Sequence, residues 1–244
     1  MSRVVCWFSA GAASAVATKL TLVKHPDAVV VRCDPGSEHE DNARFADDCA
    51  EWFGKPIEVL RSTEYTDTWD VWARRRYIVG HHGAPCTLEL KKRLRQQFER
   101  PGDVQVFGYH AGEQHRVDGF RRANPDVRLS TPLIDAWLTK ADCLAIVERA
   151  GIELPAMYRL GFPNANCIGC PHGGMGYWNR TRTVFPETFD RMARLERELG
   201  HAVNKDDDGP VFLDELDPDR GKDDIGVEGE CSLLCVAAEM EMAK

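Results

Sequence analysis

Residues 3–34, "RVVCWFSAGAASAVATKLTLVKHPDAVVVRCD", decide the fold. The short apolar run "RVVCWFS" enters the small-residue turn "SAGAAS", residues 9–14. A stretch with helical spacing, "SAVATKLTLVKH", follows, and a second apolar run, "AVVVRCD", comes directly after it. Strand, turn, helix and buried strand in that order open a βαβ unit, and such units build parallel sheets. Downstream the alternation persists. "HEDNARFADDCAEWFG" predicts a helix ending at Gly54, and "KPIEVLRS" and "DVQVFGYH" predict strands. "TKADCLAIVERAG" predicts a Thr-capped helix that stops at Gly151. The expected fold class is α/β, a doubly wound and mostly parallel sheet of Rossmann-like type, with a cysteine-bearing C-terminal extension.

After Gly161 the character changes to turns, aromatics and a CxxC pair. "PETFDRMARLERELG" predicts a helix with Pro at its start and Gly at its end. "NKDDDGPVFLDELDPDRGKDDIGVEGE" is acidic and rich in Gly and Pro, which predicts a long exposed loop or linker leading to "CSLLCVAAEMEMAK". The expected organisation is a nucleotide-binding α/β domain over 1–160. The remainder, 161–244, holds the CxxC turn, a helix and the acidic extension, packing on the same domain. No internal repeat is present.

The 244 residues suffice for one large α/β domain, and 43% hydrophobic with 29% charged content is ordinary for a globular protein. A formal charge of −8 argues against nonspecific coating of nucleic acid. "KKRLRQQFER" and the cluster Arg116, Arg121 and Arg122 read equally as a local basic groove or as solvated helix faces. No stretch approaches the roughly 20 apolar residues of a membrane span. The start, "MSRVVCWFSAG", lacks the h-region of a signal peptide. The expected location is therefore cytoplasmic, where thiols stay reduced.

Nine cysteines call for an accounting. Cys6, Cys33, Cys49 and Cys143 fall in apolar strands or at helical spacing and read as core hydrophobes. Cys86, Cys167, Cys170, Cys231 and Cys235 lie beside loops and glycines. The SAGAAS turn has the outline of a backbone anion site. Small residues allow close approach, a helix N-terminus offers unpaired N–H groups, and Ser9 and Ser14 add hydroxyls around Gly11. The same residues also permit tight helix–sheet packing.

Ser9–Ser14 resembles the SGGxDS loop of the PP-loop superfamily, which includes ATP pyrophosphatases, tRNA thiolases and phosphoadenylyl-sulfate (PAPS) reductases. Ala13 stands where that loop carries Asp. The resemblance implies less ATP cleavage and more binding of a phosphate or sulfate without pyrophosphate release. "RCDPGSEHEDNARFADD" is similar to the segment flanking the adenosine pocket in PAPS reductases, with Asp34, Gly36 and Glu38 matching. "GYHAGEQHR" resembles the later GxRxxEsxxR element at Gly108, Glu113 and Arg116, whereas Tyr109 and His110 depart from it. Residues 130–170 resemble the region that ends in the family's late cysteines. The likeness covers roughly residues 4–180 and has the style of phage-type, adenine nucleotide alpha-hydrolase-like proteins.

Cys167 and Cys170 take the late cysteine positions, and Cys86 takes the earlier one, with Pro85 in place of an adjacent cysteine. The resemblance implies a [4Fe–4S] cluster on Cys86, Cys167 and Cys170. Cys235 or Cys231 would be the fourth ligand, and zinc is the alternative metal. "ECSLLC" resembles the reductases' C-terminal ECGLH, which makes Cys231 the expected nucleophile and a thioredoxin-like protein the expected reductant. Lys91 and Lys92 would offset the charge of a cluster or nucleotide, and Arg116 would act as a second anion clamp. His172 reads as a substrate or cluster contact or as a solvated turn residue, as does the pair His81–His82. Tyr177 and Trp178 read as packing before base stacking.

Three functions follow. The first is sulfonucleotide reduction with PAPS or adenylyl sulfate as substrate. The second is a cluster-dependent, ATP-using sulfurtransferase acting on a nucleobase or other acceptor. The third is a nucleotide-binding redox sensor without turnover. The expected partners are a small nucleotide, the reductant and a second copy of the chain. A nucleic-acid acceptor stays open though not indicated, and no membrane is expected.

Overall fold

The computed structural model describes residues 2–81, 83–221 and 233–242, with backbone alone at 233–236. β1 (Val4–Trp7), β2 (Val29–Cys33), β3 (Ile57–Leu60), β4 (Val104–Phe107) and β5 (Arg128–Ser130) form one parallel sheet in the order β3-β2-β1-β4-β5. Register pairs Cys6 with Val30 and with Val106, so β1 lies at the centre, buried along its length. The chain order reverses between β1 and β4. In open parallel sheets that switch point, at the carboxyl ends of the strands, is where a crevice forms.

Strand alternation divides the core. Cys6, Val30 and Val106 face one side with α1 (Ala12–Lys24), α2 (Asp41–Phe53) and α8 (Lys140–Arg149). Val5, Trp7 and Val31 face the other with Phe98 and Phe107. Phe107 in turn meets Phe120 of α6 (Gln114–Ala123) at 5.2 Å between ring centroids. The sheet is therefore covered on both faces, as a parallel sheet requires. Gly54 ends α2 in the left-handed region at φ 65°. Thr139 and Asp142 close a reciprocal capping box on α8, with Asp142 N donating to Thr139 Oγ1 at 3.2 Å and Thr139 N donating to Asp142 Oδ2 at 2.9 Å. Both ends were legible as local signals.

A second core lies beyond the sheet. α3 (Thr68–Arg75) and the segment α4 (Pro85–Thr87), a π-helical turn (Leu88–Lys92) and α5 (Arg93–Phe98) supply Trp72, Cys86 and Leu90. The short helices α7 (Pro132–Asp135) and α9 (Ala156–Arg159) lead towards α10 (Met175–Val184) and α11 (Pro186–Leu199). α9 contributes Met157 to the same cluster, and α10 and α11 contribute Tyr177, Trp178, Phe189 and Met192. α12 (Leu233–Met242) docks instead on the first core through Ala238 and Met242. Lys24 pairs with Glu241 at 2.9 Å and Arg149 with Glu239 at 2.7 Å. The C-terminal ends of α1, α8 and α12 thus lie together.

The acidic segment departs from the expected exposed loop as far as residue 221. β6 (Asn204–Asp206) and β7 (Gly209–Val211) form an antiparallel hairpin, and Leu213 and Leu216 are buried. Asp206 Oδ1 accepts from Asp208 N at 2.9 Å and Gly209 N at 3.0 Å, so the acidic run folds its own turn. Spaced apolar residues, outnumbered in composition, anchor it. No helix among the described residues is long and apolar enough to cross a membrane.

Candidate anion loop and cysteine centre

The SAGAAS turn is held by Ser14. Ser9 N donates to Ser14 Oγ at 3.0 Å, and Ser14 Oγ donates to Gly11 O at 2.8 Å. Ala10 is forced to φ 54°, a conformation costing about 1 kcal/mol or more that persists only where its surroundings impose it. Gly11 precedes α1 in extended conformation and supplies no side-chain cap, and the first N–H of the helix, that of Ala12, faces the Tyr158 hydroxyl. Behind it, a Cβ on Gly108 would stand 2.7 Å from Ser14 Cα and 2.8 Å from Ser14 N. β4 therefore ends flush against the loop that follows β1. The Tyr158 hydroxyl stands 3.3 Å from the position of a Gly11 Cβ. Burial pushes that phenol up to about 12, against the N–H groups of Ala12 and Ala165 that face it.

Asp34 and Gly36 form a tight turn after β2. Gly36 N donates to Asp34 Oδ1 at 3.0 Å, and Arg61 Nη2 donates to Asp34 Oδ2 at 2.8 Å. Burial pushes the Asp34 carboxyl up, but Gly36 and Arg61 outweigh it and hold it below its ordinary value. A Cβ on Gly36, at φ 69°, would meet Thr66 O at 2.3 Å, so only glycine fits there.

Glu38 belongs to the cysteine side. Its buried carboxylate accepts from Arg32 Nη2 at 2.7 Å and Asn42 Nδ2 at 3.1 Å, with Lys91 Nζ at 3.9 Å. Its backbone bridges Cys167 in antiparallel fashion, and Ile168 N donates to Ser37 O at 2.9 Å. Asn42 Nδ2 also donates to Ala165 O at 3.2 Å, tying α2 to the same turn.

Cys86, Cys167 and Cys170 are brought close enough for their charges to interact. Burial pushes Cys167 up to about 12 and raises Cys86 and Cys170 as well. Opposing it are Lys91 at all three, the Trp72 indole and Thr87 N–H at Cys86, and the His172 N–H at Cys170. The π-helical turn directly after Cys86 carries Lys91 to this position. Burial lowers the Lys91 ammonium, but Cys167 and Glu38 together with the other thiols leave it raised.

Among the described residues no group of three or more Cys, His, Asp or Glu side chains stands in metal-ligating geometry. The trio is gathered but not closed on one point. The three thiols and the neighbouring Lys91 ammonium are the groups that a thiophilic metal or cluster would draw on.

Other expected residues fall differently. Arg116 pairs with Glu113 and lies over Tyr109 at 5.0 Å. His110 N donates to Glu113 Oε2 at 3.1 Å while its ring accepts from Gly112 N, and burial lowers its pKa. Cys33 Sγ donates to Lys91 O at 3.8 Å and packs against the cluster of Val5, Trp7 and Val31. Cys6, Cys49 and Cys143 are fully buried, in keeping with the packing role expected of them. His82 and Cys231, with the side chain of Cys235, lie outside the described residues. Arg32, Asn42, Trp72 and Tyr158 are site neighbours that the sequence did not single out, and Tyr177, expected to pack, also bonds the cysteine turn. The charge inside "AVVVRCD" was the one available hint, at Arg32. A comparison with protein-family models finds no match, and neither does one with curated proteins.

Proposed function

We propose that this chain is a PAPS reductase-like enzyme that binds an adenine sulfonucleotide at Ser9–Ser14 and acts in sulfonucleotide reduction. The observation carrying the reading is that the N-terminus of α1 and a trio of cysteines flank one edge of the sheet. The turns after β1 and β2 define that edge, the first holding the loop and the second holding Glu38 against Cys167. The loop's N–H groups and Ser9 would bind a phosphate or sulfate. Cys86, Cys167 and Cys170 would hold a [4Fe–4S] cluster with a fourth ligand from Cys235 or elsewhere, and zinc is the alternative. Such a cluster, when bound, supplies electrostatic stabilisation near the sulfate.

In the reaction a Cys231 thiolate attacks the sulfate sulfur. An S–S bond forms, the S–O bond to the nucleotide phosphate breaks, and the nucleotide leaves with the electron pair. A thioredoxin-like dithiol then reduces the S–S bond, is itself oxidised to a disulfide, and releases sulfite.

The gathering of only three thiols among the described residues favours a second reading, a cluster-dependent sulfurtransferase. Anaerobic purification with iron, zinc and sulfide analysis, followed by sulfite assays with PAPS and adenylyl sulfate, tests both. Sulfite release lost in Cys231→Ser supports reduction. Inertness to both nucleotides with pyrophosphate release from ATP and an acceptor supports transfer. Binding without turnover supports a sensor. A colourless, zinc-loaded protein refutes the cluster.

A further inference from the structure

Glu38 and Arg32 form an ion pair out of water, their side chains 5% and 8% exposed. Arg32 Nη2 donates to Glu38 Oε2 at 2.7 Å, and Asn42 Nδ2 donates to the same oxygen at 3.1 Å. A buried pair returns little net stability, because desolvation offsets the attraction, and its best-attested use is to fix one arrangement of the chain. Two atoms of this cluster, Arg32 Nε and Asn42 Oδ1, are also buried with no hydrogen-bond partner, a further cost. What the cluster fixes is the cysteine turn. Asn42 Nδ2 also donates to Ala165 O at 3.2 Å, across 123 residues of sequence. The Glu38 backbone bridges Cys167, and Ile168 N donates to Ser37 O at 2.9 Å. Ser37 is held in turn by Thr68, whose N–H and hydroxyl donate to its Oγ at 3.1 and 2.8 Å. The apolar side chains of the turn, Ile168 and Cys170, pack on the second core. The polar ties run instead to the segment after β2, so they set where the turn lies against the sheet.

We propose that Glu38 is a positioning residue for the cysteine turn, its carboxylate holding residues 165–168 against the end of β2 through Asn42 and through its own backbone. This replaces the nucleotide role that the resemblance implies for Glu38. Its side chain is buried, and its oxygens face Arg32, Asn42 and Lys91. Only the nucleotide arm of the test rests on the reading under Proposed function.

Hydrogen exchange of single amides in the reduced, metal-free full chain tests it. Glu38→Gln removes the charge but leaves Arg32 buried without its counter-ion. The double variant Arg32→Met, Glu38→Met replaces both charges by apolar chains of similar length, a change that usually leaves folding intact. The Ile168 amide should exchange about tenfold faster or more in both variants, the scale of one lost charge-assisted hydrogen bond. The buried Ile146 amide within α8 should keep its rate in the double variant. An Ile168 rate unchanged in the double variant overturns the proposal. So does a rise shared equally by Ile146, which would make Glu38 a plain stability residue. AMP is the nucleotide probe, and its affinity by calorimetry should be the same in the double variant and wild type. A fall in AMP affinity with Ile168 still protected overturns the proposal in favour of a nucleotide role. If wild type does not bind AMP, the nucleotide reading fails separately and the exchange rates alone decide.

Discussion

Tyr177 holds Cys167 across the cysteine turn. Its hydroxyl donates to Cys167 O at 3.2 Å and accepts from Gly169 N and Cys170 N at 2.9 Å each. One buried phenol therefore satisfies three backbone groups of the CxxC turn. Tyr177→Phe strips two N–H groups and a carbonyl of their partner at nearly constant volume. The expected cost is about 2 kcal/mol or more, since each unsatisfied buried group costs about 1–3 kcal/mol. Urea unfolding checks the stability. Metal content after anaerobic purification, expected to fall, checks the turn.

Gly108→Ala is expected to damage the anion loop from behind. The added methyl would stand 2.7 Å from Ser14 Cα and 2.8 Å from Ser14 N, and both are backbone atoms with nowhere to yield. Overpacking of this kind costs about 1–3 kcal/mol. Adenine-nucleotide affinity measured by calorimetry should fall together with the melting temperature. Gly174→Ala is the control. It lies at the start of α10 with nothing within 4 Å of its Cβ position, and should leave both measurements close to wild type.

What the sequence shows and hides follows from range. Thr139 with Asp142, and Gly54 and Gly200 in left-handed conformation, are signals complete within a few residues, so the ends of α8, α2 and α11 were readable. β1, α1 and β2 were readable because their periodicities are local. Trp72 and Tyr177 were not, because a buried aromatic looks the same in sequence whether its polar atom meets nothing or holds a turn. The π-helical turn at Leu88–Lys92 was equally hidden, and its buried Glu89 pairs with Arg93 one turn on and with the distant Arg75, a partner that only the fold brings near. The hairpin at Asn204–Val211 was masked by its own charge, since composition averages away the few leucines that anchor it.

Lys91→Met should make the CxxC cysteines less reactive. The Lys91 ammonium opposes the rise that burial imposes on Cys167 and Cys170. Without it both pKa values climb further and the thiolate fraction at neutral pH drops. The Lys91 side chain is 41% exposed, so solvent screens the effect to about 1 kcal/mol, roughly fivefold in alkylation rate. Peptide-resolved alkylation with iodoacetamide in the metal-free protein measures it, with Lys91→Arg expected to retain most of the wild-type rate. Equal rates in Lys91→Met and wild type would remove Lys91 from the centre's electrostatics.

Glu196 gives the second core a pH dependence. Its fully buried carboxyl accepts from Val203 N at 2.5 Å and Leu213 N at 2.7 Å, clamping the hairpin to α11. Burial raises its pKa to about 7, with the nearby Asp214 adding to the rise and the two N–H groups opposing it. An unfolded glutamate titrates near 4.3, so between these values the folded chain binds the extra proton. Stability from this group is therefore fully present below about pH 4.3 and is lost as the pH rises through about 7. Glu196→Gln removes the titration but sets an amide NH2 against one of the two backbone N–H groups, so it is less stable than wild type at low pH. The gap in urea midpoint should be widest near pH 4 and narrow towards pH 8, with wild type losing ground because it must then bury a charge. A difference that stays flat across that range would mean that Glu196 is already ionised throughout and that its two backbone donors outweigh burial.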